Sequence, residues 1–157
     1  MRKHPLLITL LSLLAFSSLY FSSIASASNG VIVLYPKHKG PEKRNAYGFS
    51  CKVGVDKSRT INFTKKKKKH RCKNDSAKFI IFYGLVKAGT IIRLYDNSKG
   101  KKNDDWLDVK IKRNLVNHRY VIPNLEYSFE DAFIKAKYHR KNGLNGKVSR
   151  MVIIAPK

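Results

Sequence analysis

The sequence predicts an all-β fold, an antiparallel sandwich or barrel. Three observations carry this. Short runs alternate apolar and polar residues with period two, turn signals separate them at short intervals, and helical periodicity is weak. Val31–Tyr35 is a β-branched run that opens the series. Residues 47–55 place Tyr47, Phe49, Cys51, Val53 and Val55 on one face of a strand. Residues 78–83 form a compact apolar strand, and residues 90–95 set Ile92 and Leu94 on one face. In 105–112, Leu107, Val109 and Ile111 oppose Asp108, Lys110 and Lys112. A brief strand follows at 119–122. In 133–138, Ile134, Ala136 and Tyr138 oppose Lys135 and Lys137, and 147–154 closes the chain. Lys39-Gly40-Pro41, Lys73-Asn74-Asp75, Asn97-Ser98-Lys99-Gly100, Ile122-Pro123-Asn124, Asn142-Gly143 and Asn145-Gly146 supply the turns. Only residues 128–132 leave room for one helical turn.

Composition bounds the function. The chain has 157 residues, 33 Lys or Arg against 10 Asp or Glu, and a formal charge of +23. That length allows one domain or two very small ones. Apolar residues make up 43%, enough for a packed core, which argues against a fully disordered chain despite the charge. The charge itself points to contact with polyanions. At the N-terminus, Arg2, Lys3 and His4 precede an apolar run from Leu6 to about Phe21, and Ala25-Ser26-Ala27 forms an A-x-A cleavage signal. Residues 1–27 therefore read as a secretory signal peptide and 28–157 as a single domain. Its 31 basic and 10 acidic residues give a charge of +21. No cysteine near the cleavage site suggests a lipoprotein. Cys51 and Cys72 are the only cysteines, and an even count in an exported protein reads as a disulfide. A bridge around a loop of about 20 residues contributes about 3 kcal/mol. The rival readings, a metal pair or a catalytic thiol, need more ligands or a partner base.

An internal repeat is visible. Leu34-Tyr35 precedes Lys39-Gly40, and Leu94-Tyr95 precedes Lys99-Gly100, an offset of 60 residues. Residues 74–81 likewise match 145–152, each led by asparagine. Two similar β units in one domain follow. The stretches Ala88-Gly89-Thr90 through Asp96, Asp104-Asp105-Trp106 with Val109 and Ile111, Cys72-Lys73-Asn74-Asp75 and 143–150 together resemble exported bacterial proteins of the βγ-crystallin-like superfamily. That resemblance implies a Greek-key β-sandwich of two related motifs. The Tyr35-to-Gly40 and Tyr95-to-Gly100 spacings are shorter than in lens crystallins. Functions in that superfamily include calcium binding, protease inhibition and killer-toxin activity, so fold alone does not fix function.

The resemblance raises calcium first. The expected pattern is Asn or Asp twice, two free positions, Ser or Thr, then Ser. The candidate ligands here are Asn74, Asp75, Asn145 and Ser149, but Lys78 stands at a ligand position and Gly146 and Arg150 depart from the pattern. Calcium wants several hard oxygens, preferably carboxylates, and a cation at a ligand position opposes it. Both turns therefore read as structural, with no metal or other cofactor. Asp104-Asp105 and Glu130-Asp131 are the densest carboxylate pairs, but neighbours on a strand point to opposite faces and cannot share acid–base chemistry. His38, His70, His118 and His139 each lie beside or one residue from Lys or Arg and read as members of a solvated basic surface. The aromatic residues, Trp106 among them, read as core. No Gly-x-Ser-x-Gly and no phosphate-cradling glycine loop occurs.

The strongest charge feature is Lys65, Lys66, Lys67, Lys68, Lys69, His70 and Arg71, which lies between the two cysteines. Five consecutive lysines cannot all be buried. Lys135, Lys137, His139, Arg140 and Lys141 form a second basic set, and Lys99, Lys101 and Lys102 a third. The expected function is non-enzymatic binding of an anionic surface or polymer: lipopolysaccharide, acidic lipid, glycosaminoglycan or nucleic acid. Lys65–Lys69 and Arg71 are the expected binding residues. The protein is expected to be a secreted or periplasmic monomer with no small-molecule substrate. The alternatives are a killer-toxin-like or protease-inhibitor-like effector with a protein target, and a calcium-stabilised structural crystallin.

Overall fold

The computed structural model of the chain describes residues 29–36, 50–65, 72–116 and 119–157. Among these, every regular element is a strand: β1 Val31–Tyr35, β2 Cys51–Gly54, β3 Arg59–Asn62, β4 Phe79–Tyr83, β5 Ile91–Tyr95, β6 Trp106–Ile111, β7 Tyr120–Ile122, β8 Phe129–Glu130, β9 Ile134–His139 and β10 Arg150–Ile154. They form two antiparallel sheets, ordered β2-β1-β4-β7 and β3-β10-β5-β6-β9-β8. The sheets share one apolar core. Ile32, Leu34, Ile80 and Phe82 from the first join Leu94, Leu107, Val109 and Met151 from the second in a single buried cluster. The all-β, sandwich-like architecture expected from the sequence is present. Its register follows the alternation: Ile92 opposes Val109 and Leu94 opposes Leu107. A slip of one residue would turn those side chains out to water.

Two elements differ from expectation. β3 was not legible, because Arg59-Thr60-Ile61-Asn62 offers a single apolar residue to the core. Where a helical turn had room, β8 pairs with β9 instead. The Asp131 carboxylate accepts the N–H groups of Phe133 (2.8 Å) and Ile134 (2.7 Å) and so builds the turn between β8 and β9.

The strands of the two halves pair in a similar order. β1 lies between β2 and β4, as β5 lies between β6 and β10, while β3 pairs with β10 and β7 with β4. Each half thus places one strand in the sheet of the other. The two asparagine-led turns meet reciprocally. Asp75 N–H donates to the Val148 carbonyl (3.3 Å), and Gly146 N–H donates to the Ala77 carbonyl (2.7 Å). Asp75 and Gly146, equivalent in the repeat, both have left-handed backbones, with φ of 50° and 79°. Glycine adopts that conformation without strain, and aspartate is among the few residues that tolerate it.

Cys51, at the start of β2, is bonded to Cys72, with Cα atoms 4.2 Å apart. Backbone and side chain reinforce the link: Lys73 N–H donates to the Ser50 carbonyl (2.7 Å), and the Ser76 hydroxyl donates to that of Ser50 (2.7 Å). A bridge closing a separation of 21 residues chiefly restricts the unfolded chain. The double variant Cys51→Ser/Cys72→Ser should lose about 3 kcal/mol in urea unfolding relative to the oxidised protein. A loss under about 1 kcal/mol would show that the hydrogen bonds around Ser50 hold this corner without the bridge.

Candidate polyanion-binding face

The outer face of the six-stranded sheet is set by the inner one. Leu107, Val109 and Ile111 point into the core, so Trp106, Asp108 and Lys110 point out. Cross-strand register then builds rows. The first runs Asn62, Arg150, Tyr95, Trp106, His139 across five strands. Its rings stack: Tyr95 and Trp106 lie 6.3 Å apart at 19°, and Trp106 and His139 lie 3.7 Å apart at 4°. The Lys102 ammonium sits 4.5 Å from the centre of the indole, a cation–π contact. Trp106 is only 8% exposed but belongs to this outer row rather than to the core. His139 is likewise half-buried in a stack and not a solvated surface residue. Burial, then the Lys137 charge, pushes its imidazole below the ordinary value, so it stacks as a neutral ring at neutral pH.

The next rows carry charge. Arg93 pairs with Asp108 at 2.7 Å. Glu130 pairs with both Lys112 (2.7 Å) and Lys135 (2.8 Å), and these two lysines hold its carboxyl down to about 2. Lys110 and Lys137 make no ion pair with any described carboxylate. Lys135 and Lys137 lie on the outer face of β9, as the alternation predicted.

Three basic stretches that are separate in sequence approach one end of this sheet. Lys99, Lys101 and Lys102 lie on the connection between β5 and β6. The Asn97 side chain accepts the Lys99 N–H (2.9 Å), and the Ser98 carbonyl accepts from Asn62 (3.0 Å) and Arg150 (3.2 Å). The Asn62 side chain also accepts the Thr64 N–H (2.9 Å), which fixes the chain one residue before exposed Lys65. Arg140 and Lys141 follow β9 at the same end, where the Lys141 ammonium donates to the Asn103 carbonyl (2.8 Å). Lys66, Lys67, Lys68, Lys69 and Arg71 lie outside the described residues, as do His38, His70 and His118.

Buried Asp105 positions that end. Its carboxylate accepts from the Tyr138 hydroxyl (2.5 Å) and from the N–H groups of Lys141 (2.8 Å) and Asn142 (2.7 Å). Burial pushes this carboxyl up, but those bonds outweigh it and hold it at about 2. Asp96, Asp104 and Asp105 bring carboxylate oxygens within 4.8 Å of one another. Burial first, then Asp104, pushes Asp96 up. Asp104 accepts the Asp105 N–H (3.0 Å), which leaves Asp96 as the one member with no hydrogen-bond donor among the described residues. The calcium candidates of the sequence pattern are tied into the turns. Asp75 accepts from Asn74 (2.6 Å) and from the Ser149 hydroxyl (3.3 Å). Asn145 accepts the Leu125 N–H (3.3 Å) and donates to Asn124 (2.8 Å).

No protein-family model matches this chain, and neither a curated protein nor a solved structure matches it.

Replacing Asp105 by asparagine keeps its shape but sets an amide donor against donors. Asp105→Asn should cost about 2–4 kcal/mol in urea unfolding at pH 7. The wild-type carboxyl lies below its ordinary 3.8, so its contribution is complete above about pH 4 and is lost as pH falls toward 2. The variant should therefore lose less stability than the wild type across that window. Parallel acid limbs would show that Asp105 is not the group responsible.

Proposed function

We propose that this chain is an exported, non-enzymatic binding protein of the βγ-crystallin-like kind, whose basic surface engages anionic polymers or surfaces. The reciprocal placement of β3 and β7 fits two Greek-key motifs, β1-β2-β3-β4 and β5-β6-β7-β10, with β8 and β9 inserted in the second. A disulfide fits an oxidising compartment. The observation that carries the reading is the convergence of Lys65, Lys99, Lys101, Lys102, Arg140 and Lys141 at one end of the six-stranded sheet. Lys66–Lys69 and Arg71 continue from Lys65 in sequence and lie outside the described residues. In this mechanism the lysines supply long-range attraction. The edges of Trp106 and His139, beside Lys102, supply a flat surface for selectivity.

The test steps salt from low to above physiological while the oxidised protein binds heparin, lipopolysaccharide, DNA and acidic vesicles. Charge-only binding fades steeply and ranks ligands by charge density. One ligand should survive at physiological salt. For DNA, replacing Lys99, Lys101 and Lys102 by serine should lower the slope of log affinity against log salt by about 2–3. Replacing lysines 65–69 by serine should abolish the surviving binding. If all binding disappears together below physiological salt, or both variants bind as the wild type does, the proposal fails.

A further inference from the structure

The opposite sheet carries a second feature that the polyanion reading does not use. In the four-stranded sheet, Ile32, Leu34, Ile80 and Phe82 fill the core, so Val31, Val33 and Tyr35 of β1 and Phe79, Ile81 and Tyr83 of β4 point to the other face. That face is apolar as well. Val31, Val33, Tyr35, Lys52 and Tyr83 line a surface hollow of about 280 Å³. Val31 pairs with Tyr83 and Val33 with Lys52, so floor and rim are built from three adjacent strands. The ring of Tyr35 is braced by stacking on Phe79 at 4.9 Å.

The described polar groups of the hollow favour an anion. β1, β2, β4 and β7 contain no Asp or Glu, and Lys52 is the one charged residue in them. Lys52 is exposed and makes no ion pair with a described carboxylate. The Tyr35 and Tyr83 hydroxyls lie 3.5 Å apart. One of them donates to the other, which leaves one O–H with no acceptor among the described residues. Burial, then the bond to Tyr83, pushes the Tyr35 phenol up to about 12, so it stays a neutral donor, while the Arg119 charge acts on it in the opposite direction. A volume near the lower end of small-ligand sites, about 300 Å³, suits one alkyl chain rather than a multi-chain lipid.

We infer that this hollow binds a monomeric single-chain anionic amphiphile, its alkyl chain against Val31 and the two tyrosine rings and its carboxylate between Lys52 and the tyrosine hydroxyl that has no described acceptor. The inference stands independently of the polyanion face. The ligand class joins an apolar wall to a single cationic rim, a combination that neither a neutral lipid nor a plain polyanion satisfies.

Isothermal titration of decanoate and of decanol into the oxidised protein tests it. Decanoate should bind saturably, one molecule per chain, and decanol at least about fivefold more weakly. Lys52→Glu should weaken decanoate at least about fivefold and leave decanol unchanged. Val31→Glu should abolish both, and the milder Val31→Ala should weaken both if the glutamate variant fails to fold. The variant lacking Lys99, Lys101 and Lys102 should bind decanoate as the wild type does. Absence of saturable binding, equal affinity for the acid and the alcohol, or indifference to Lys52→Glu would overturn the inference. So would binding only to acidic vesicles and not to the monomer. A dimer that forms with rising concentration and is lost in Val31→Ala would overturn it too, by giving the hollow to a second copy.

Discussion

Burial of Leu107, Val109 and Ile111 in β6 forces Trp106, Asp108 and Lys110 onto the opposite face, and the same parity governs every neighbour of that strand. The shared core decides not only what is hidden but also which side chains stand together outside. Register lines up Tyr95, Trp106 and His139 because Leu94, Leu107 and Tyr138 must face inward. Parity also sends Val31, Val33 and Tyr83 to the far side of the other sheet. Both outer faces are thus consequences of one packing requirement.

Charge is the second constraint. With 10 acidic residues against 33 basic ones, carboxylates are scarce, and their placement is informative. Asp105 and Asp131 are spent on backbone N–H groups and tyrosine hydroxyls at turns, where they fix chain geometry rather than neutralise lysines. Asp108 and Glu130 neutralise part of the outer face of the six-stranded sheet. The remaining lysines repel one another, so the fold must be carried by the core and the disulfide. Exposed ion pairs of this kind contribute little to stability.

Much of this was legible in the sequence. The alternation gave β5, β6 and β9 nearly to their ends. The even cysteine count gave the disulfide, while the paired asparagine turns were visible without any sign that they would meet. β3 escaped because an edge strand with one inward apolar residue has no period to detect. The stack of Trp106 on His139 escaped because register between distant strands is set by the three-dimensional partner, not by local pattern. Of the expected binding run, the structure describes Lys65 alone, while Lys99, Lys101, Lys102, Arg140 and Lys141 were noted in sequence without any sign that they would meet.

The indole of Trp106 has an optical consequence. It is the chain's single tryptophan, sandwiched against an imidazole and capped by a lysine at the basic end of the molecule. Its emission therefore reports on one small neighbourhood without any label. An anion that draws Lys102 away uncovers the ring, and protonation of His139 changes the group pressed against it. The protein carries its own fluorophore at the end of the sheet where the proposed polyanion face lies.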